Sequence, residues 1–222
     1  MRIASEIPNY GMSCATDLQH HITTLVAQET ITKAIETGTY LGLGTTKAVL
    51  KGMRVHEMEF DFISIEVNPE HFRQAIANNI GVDGLHLLHG LSIPKSMIHV
   101  DTTFNVPDHV IVDHQAPVRA KMYHKEVNFN VEDCLLKRAI DSMDGDPELI
   151  ILDSAGHIGL IEFKYMMELM NGKEFWLILD DIGHVKHYES FEIIKSNPEK
   201  FDIIWQSDPG EVHRSAIIKV SA

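Results

Sequence analysis

Ala34-Ile-Glu-Thr-Gly-Thr-Tyr-Leu-Gly-Leu-Gly-Thr-Thr46 joins a short strand-like opening to a glycine-rich turn and then to the start of a helical pattern. Gly38, Gly42 and Gly44 admit backbone conformations and close approaches that a side chain would block. The first amides of the following helix have no intrahelical partner and point outward, towards any bound ligand. The functional reading is a small-molecule site; the plainer one is an ordinary strand-to-helix connection. A dinucleotide fingerprint needs a third glycine at a fixed spacing, whereas Gly42-Leu-Gly44 is followed by Thr-Thr-Lys. A P-loop is excluded because no Gly-Lys-Ser/Thr follows.

The next apolar run, Phe60-Asp-Phe-Ile-Ser-Ile65, reads as a strand and delivers Glu66 at its end. Asn68-Pro69 then opens a helix through about Asn79. A carboxylate at that place can accept both hydroxyls of a ribose, as the acid about twenty positions beyond the glycines does in dinucleotide sites. A solvated strand-end carboxylate is the alternative.

With these segments in place, the chain from about Lys33 to its C-terminus resembles the class I S-adenosylmethionine-dependent methyltransferases. Glu36-x-Gly38-x-x-x-Gly42 is similar to the family's first motif, with Thr45 and Thr46 where small-molecule O-methyltransferases often carry Ser-Thr. Glu66 matches the ribose-binding acid. His89-Gly-Leu-Ser92, after the strand-like Leu85-His-Leu-Leu88, is similar to the third motif beside adenine, although Leu91 stands where Asp is frequent. Leu149-Ile-Ile-Leu-Asp153 and Phe175-Trp-Leu-Ile-Leu-Asp-Asp181 look like the fourth and fifth strands, each ending in acid.

The resemblance implies a single Rossmann-like, doubly wound α/β sheet of seven strands, with the last antiparallel between the fifth and sixth and helices on both faces. It also implies cofactor contacts at Glu36, Gly38, Thr39, Tyr40, Gly42, Thr45 and Thr46. Further contacts are expected at Glu66 and Val67, at Gly90, Leu91 and Ser92, and at Asp153. Glu36 and the glycine loop would hold the amino-acid end of S-adenosylmethionine, Glu66 the ribose, and Leu91-Ser92 the adenine side.

If the fourth and fifth strands are neighbours, Asp153, Asp180 and Asp181 meet at the crevice where open α/β sheets bind ligands. Three carboxylates without a counter-charge repel, so one is protonated or a cation lies between them. Oxygen ligands favour magnesium or another hard divalent ion, an arrangement similar to metal-dependent catechol and sugar O-methyltransferases. The plainer reading has Asp181 capping a helix and Asp180 solvated.

Methyl transfer to a hydroxyl needs in-line positioning and a base, and a metal can lower the acceptor's pKa. His157, in Asp153-Ser-Ala-Gly-His157, is the catalytic base expected beside Asp153. It stands one position beyond the related enzymes' usual place, which Gly156 occupies. His184, in Asp180-Asp-Ile-Gly-His184, is the alternative base.

The expected reaction is therefore methylation of a small sugar or phenol hydroxyl. The misregistered Asp153 loop also suits a non-catalytic S-adenosylmethionine-binding module or accessory protein, and the acidic pair suits a cephalosporin hydroxylase-like relative.

The 222 residues include 19 basic and 32 acidic ones, a formal charge of −13, which disfavours nucleic-acid phosphates as partners. Two cysteines, Cys14 and Cys134, form neither a disulfide framework nor a metal cluster and suit a reducing cytoplasm. No secretory signal pattern and no membrane-spanning run is evident, so a membrane partner is not expected.

Helical periodicity covers Thr16 to about Thr32, Thr45 to His56, Val131 to Met143 with Asn130 as its cap, about Leu160 to Met170, and about Glu189 to Ser196. Strands are expected at Lys33–Thr39, Phe201–Trp205 and Val212–Val220, the last two joined by a tight Ser207-Asp-Pro-Gly210 turn. Met166, Met167 and Met170 read as core filling. Residues 1–32 form an N-terminal helical extension and 33–222 the main domain. The segment from Ile93 to Asn130 is far longer than the usual connection of about two to six residues. It suits a substrate lid, an extra hairpin around Val110-Ile-Val112, or contacts in a homo-oligomer. Tyr10 to Ser13 could fold over the cofactor.

Overall fold

The computed structural model describes residues 16–98, 106–112, 121, 124–154, 158–211 and 213–222. Its centre is a pair of parallel strands, β1 (Lys33–Thr37) and β4 (Leu149–Leu152), flanked on one side by β2 (Asp61–Glu66) and β3 (Leu85–His89). On the other side lie β5 (Phe175–Leu179), β7 (Ala216–Val220) and β6 (Phe201–Gln206). The order β3-β2-β1-β4-β5-β7-β6, with β7 antiparallel to both neighbours, is the topology expected above. Leu149, Ile150, Ile151 and Leu152 are all fully buried, as a parallel strand covered on both faces requires.

Two cores follow from the alternation of side chains along the strands. On one face, Ala34, Phe62, Leu149, Ile151 and Ile178 pack with Leu18, Ile22 and Val26 of α1 (Thr16–Gln28) and Val49 and Met53 of α2 (Thr45–Met53). On the other, Ile35, Ile63, Ile150, Leu152 and Leu177 pack under α4 (Leu135–Ser142), α5 (Gly159–Leu169) and α6 (Tyr188–Lys195). Met166 and Met170 are buried in this second core and Met167 packs against it, which accounts for the methionines as filling. α3 (Pro69–Asn78) begins as its sequence predicts, with Pro69 in the first turn and the Asn68 side chain accepting from the Glu70 and His71 amides.

Several boundaries differ from expectation for tertiary reasons. β1 stops at Thr37 because Gly38 turns at φ +79° and donates, with Thr39, to the Ile65 carbonyl. Asn130 does not cap α4. That helix begins at Leu135, and its first amides, Leu135 and Leu136, donate to the carbonyls of Leu91 and Ser92. The preceding residues run beside the loop after β3, with Leu91 N donating to Glu132 O. The 3-10 turn Arg54–His56 follows α2 instead of a continuous helix.

The connection from β6 to β7 is wider than a tight turn. Asp208 Oδ1 accepts from Gly210 N at 2.8 Å, and Ser207 and Ser215 pair across the base before β7 starts at Ala216. Of the long segment after β3, Ile111 makes a parallel bridge to His184, and Val110 is buried. Residues 99–105, 113–120 and 122–123 lie outside the described residues, as does Tyr10 to Ser13. Among the described residues, no helix is long and apolar enough to cross a membrane.

Candidate functional site

The C-terminal ends of β1, β2, β4 and β5 open on one edge of the sheet, and the acids that end or follow them meet there. Glu66 closes β2 with only 6% of its surface exposed. Its carboxylate turns towards the glycine loop: Oε2 accepts from Tyr40 N at 2.7 Å and Oε1 from Asn68 N at 2.7 Å. The loop after β1 is thereby tied to the loop after β2. Tyr40 sits in the left-handed region at φ +52°, held there by that amide contact, and its ring meets His71 edge-on at 4.6 Å. Burial, with the nearby Glu126 carboxylate adding to it, raises the Glu66 pKa to about 7 against the pull of the amides. Glu126 reaches the same place from the long segment, accepting from Asn68 Nδ2 at 3.2 Å.

Glu36 lies beneath the same loop. It is fully buried, and its carboxylate points into the protein, where Thr45, Thr46 and Ser64 all donate to it, the last two at 2.7 and 2.6 Å. Thr39 joins the same network through Ser64 at 2.6 Å. Glu36 therefore braces the loop and the head of α2 from beneath. Burial raises its pKa and the hydroxyls oppose that rise.

The glycines have protein reasons too. A Cβ on Gly38 would lie 2.3 Å from the Asp153 carbonyl oxygen, and one on Gly42 would lie 2.5 Å from Asn79 Nδ2. Gly90 follows β3 by donating to the Glu66 carbonyl, Leu91 is 4% exposed, and Val67 O contacts His89 Nε2 at 3.2 Å. Ser92 turns its hydroxyl inward to Glu162 of α5. Thr37 and Ser154 also donate to Glu162, at 3.0 and 2.8 Å, so one fully buried carboxylate fastens the ends of β1 and β4 and the loop after β3.

Asp153, Asp180 and Asp181 do converge, with oxygens within 4.8 Å of one another. They are not without a counter-charge. Lys186, whose side chain is 7% exposed, places Nζ 2.5 Å from Asp153 Oδ1 and 3.3 Å from Asp181 Oδ2. Asp180 is buried and accepts from Ser215 Oγ at 2.6 Å. Burial and the neighbouring acids push Asp153 to a raised pKa against the pull of Lys186. Burial alone would discharge the lysine, but Asp153, Asp181 and Asp180 outweigh it and keep the ammonium charged. Burial also opposes charge on Asp181, yet Lys186, His184 and His213 hold its pKa below the usual carboxylate range. The carboxylates therefore do not fit an added divalent ion while Lys186 lies among them.

Asp181 is left-handed at φ +60°, a conformation Asp tolerates, and this turn presents its other oxygen to two imidazoles. His213 Nδ1 is 3.0 Å from Asp181 Oδ1 and His184 Nε2 is 3.7 Å from it. The two rings stack at 5.3 Å. His184 is 2% exposed, whereas the His213 side chain is 35% exposed and faces outward. His157 lies outside the described residues.

No family model and no curated protein matches the chain. Solved structures do. An O-methyltransferase from Bacillus cereus in complex with SAH superposes with a TM-score of 0.57 at 12% identity, over 93% of this chain and 82% of that one. The SAH-bound Podospora anserina methyltransferase PaMTH1 gives 0.53 at 11% identity, over 94% and 80%. A Streptococcus pneumoniae protein assigned as a tRNA (m1A22) methyltransferase, in complex with S-adenosyl-L-methionine, gives 0.51 at 11%, over 93% and 73%.

The fold is that of the class I S-adenosylmethionine-dependent methyltransferases.

On this methyltransferase fold, sequence reasoning missed Lys186, His213, Glu162 and Glu126. Glu162 left a signal, since it shares the buried face of α5 with Phe163 and Met166. Lys186 left a weak one, five residues after Asp181. His213 left none locally, because only the insertion of β7 beside β5 brings it to Asp181, through Ile182 N donating to Arg214 O at 2.7 Å.

Proposed function

We propose that the chain binds S-adenosylmethionine and transfers its methyl group to a hydroxyl of a small molecule such as a sugar or phenol. The observation that carries this reading is the Glu66 carboxylate. Each of its oxygens accepts a backbone amide at 2.7 Å, and a carboxylate has about four acceptor sites in all, which leaves accepting capacity for the hydroxyls of a ribose. Its tie to Tyr40 N would set the sugar beside the glycine loop, and the amino-acid end of the cofactor would then lie towards the backbone around Gly38 and Asp153. Glu36, Thr45 and Thr46 support that loop from below. The fold shared with proteins bound to SAH agrees with the assignment.

When bound, S-adenosylmethionine would supply an electrophilic methyl group, which would pass to the acceptor oxygen as its bond to sulfur breaks, with S-adenosylhomocysteine as the leaving product. The acceptor's proton needs a base. His213 is suited to the task, because an ionised Asp181 can only accept, so Nδ1 of His213 donates to it and Nε2 is left as the basic nitrogen. The strong formal charge of −13 favours a small-molecule acceptor over nucleic acid. Calorimetry tests the reading. The native chain should release or absorb heat on titration with S-adenosylhomocysteine, and Glu66→Ala should bind at least tenfold more weakly; folded native protein with no heat overturns it.

A further inference from the structure

We infer that Lys186 is the resident cation of the acidic crevice, doing for Asp153, Asp180 and Asp181 what a divalent metal does for oxygen-rich sites elsewhere, so that the native site binds no metal and its removal creates a metal site. The inference is independent of the cofactor reading.

The geometry has three parts. The ammonium lies inside the group of carboxylates, at 2.5 Å from Asp153 and 3.3 Å from Asp181, on the loop between β5 and α6. Its side chain is 7% exposed, so the charge is not shared with bulk water and must be met by these oxygens. The carboxylates come from two neighbouring strands, and their oxygens lie within 4.8 Å of one another, a span that a six- to eight-coordinate oxygen-bound ion could bridge if the lysine were gone. A divalent ion entering the native crevice would have to displace a lysine or sit beside its charge. A lysine-free crevice would leave two or three acids facing each other, which is a site for Mg2+ or Mn2+.

Lys186 thereby takes a positioning role. It fixes Oδ2 of Asp181 so that Oδ1 faces His213, and it pairs with the side chain of Asp153, whose backbone carbonyl lies against Gly38 of the glycine loop.

Mn2+ binding, followed by electron paramagnetic resonance of the free ion, tests the inference on the full chain. The native protein should leave Mn2+ free up to millimolar concentration. Lys186→Met should bind it at least tenfold more tightly, and adding Asp153→Asn should abolish the gain. Asp153 is chosen because it belongs to the carboxylate group and not to the neighbouring Asp181, His184 and His213 cluster. Micromolar Mn2+ binding by the native chain overturns the inference, whichever residues hold the ion. So does a folded Lys186→Met, judged by circular dichroism, that gains no affinity. Should that variant not fold, Lys186→Gln replaces it under the same criteria, and the native titration still decides the first half.

Discussion

Glu66 makes the sharpest prediction, because its burial links stability, pH and ligand binding through one carboxyl. Its pKa is raised from 4.5 to about 7, chiefly by desolvation. A group with a raised folded-state pKa favours the folded state fully below its unfolded value, and that contribution is lost as pH rises through the folded value. A shift of this size, at about 1.4 kcal/mol per pH unit, is worth about 3 kcal/mol. The native chain should therefore lose about 3 kcal/mol relative to Glu66→Gln between pH 4.5 and 7 and run parallel to it above. Urea denaturation across that range measures the difference.

Ligand binding should run the other way if Glu66 holds the ribose as proposed, since the ionised carboxylate would accept both hydroxyls. The affinity for S-adenosylhomocysteine should rise up to about pH 7 and then level. In Glu66→Gln it should be flat and about 10- to 100-fold weaker, the equivalent of one charged hydrogen bond at about 1.5–3 kcal/mol. Stability curves that stay parallel between pH 4.5 and 7 would refute the burial argument; a native affinity independent of pH would refute the sugar contact.

Five other substitutions test neighbouring parts of the site. Gly38→Ala forces a Cβ to 2.3 Å from the Asp153 carbonyl at φ +79° and should cost about 2–5 kcal/mol by chemical denaturation, combining left-handed strain with overpacking. Glu162→Ala leaves the hydroxyls of Thr37, Ser92 and Ser154 without their shared acceptor and should cost about 2–4 kcal/mol; a near-neutral result would mean that water replaces the carboxylate. His213→Asn should lower methyl transfer by about 10²- to 10⁴-fold while leaving S-adenosylhomocysteine affinity within twofold, as expected for a base rather than a cofactor contact. Lys186→Met should cost about 3–5 kcal/mol, and Asp153→Asn added to it should recover part of the loss. Strict additivity of the two in a double-mutant cycle would deny the pair its coupling.

The sheet was legible because parallel strands buried on both faces are written as nearly unbroken apolar runs. Leu149–Leu152 and Phe175–Leu179 have no other sensible reading, and each is followed at once by acid. Glu66 was legible for the same reason, as the polar residue that ends such a run. The direction of Glu36 was not. Its motif is unchanged whether the carboxylate faces a ligand or three hydroxyls, and the register that sets Ser64 opposite Glu36 decides the matter. The Asn130 cap failed because a local preference of about 1 kcal/mol competes with tertiary bonds from the α4 amides to Leu91 and Ser92. Lys186 was overlooked because a single lysine in a short loop reads as a solvated charge, and its place five residues after Asp181 is a weak sign of the two carboxylates that bury it.

The remaining capacity to accept hydrogen bonds separates the acids that build the fold from those that can serve a ligand. Glu36 and Glu162 each take three hydroxyl donors and are fully buried, so most of their accepting capacity is met within the fold. Glu66 takes short bonds from two amides and keeps accepting capacity at the edge of the sheet. Asp181 divides its oxygens between a buried ammonium and an outward-facing imidazole. Two places at the crevice thus have chemistry in reserve, one able to grip a diol and one able to take a proton. They lie at the ends of β2 and β5, with β1 and β4 and the glycine loop between them. A ligand that engages both must span that interval, which is the demand made by a sugar-bearing donor at one end and a hydroxyl acceptor at the other.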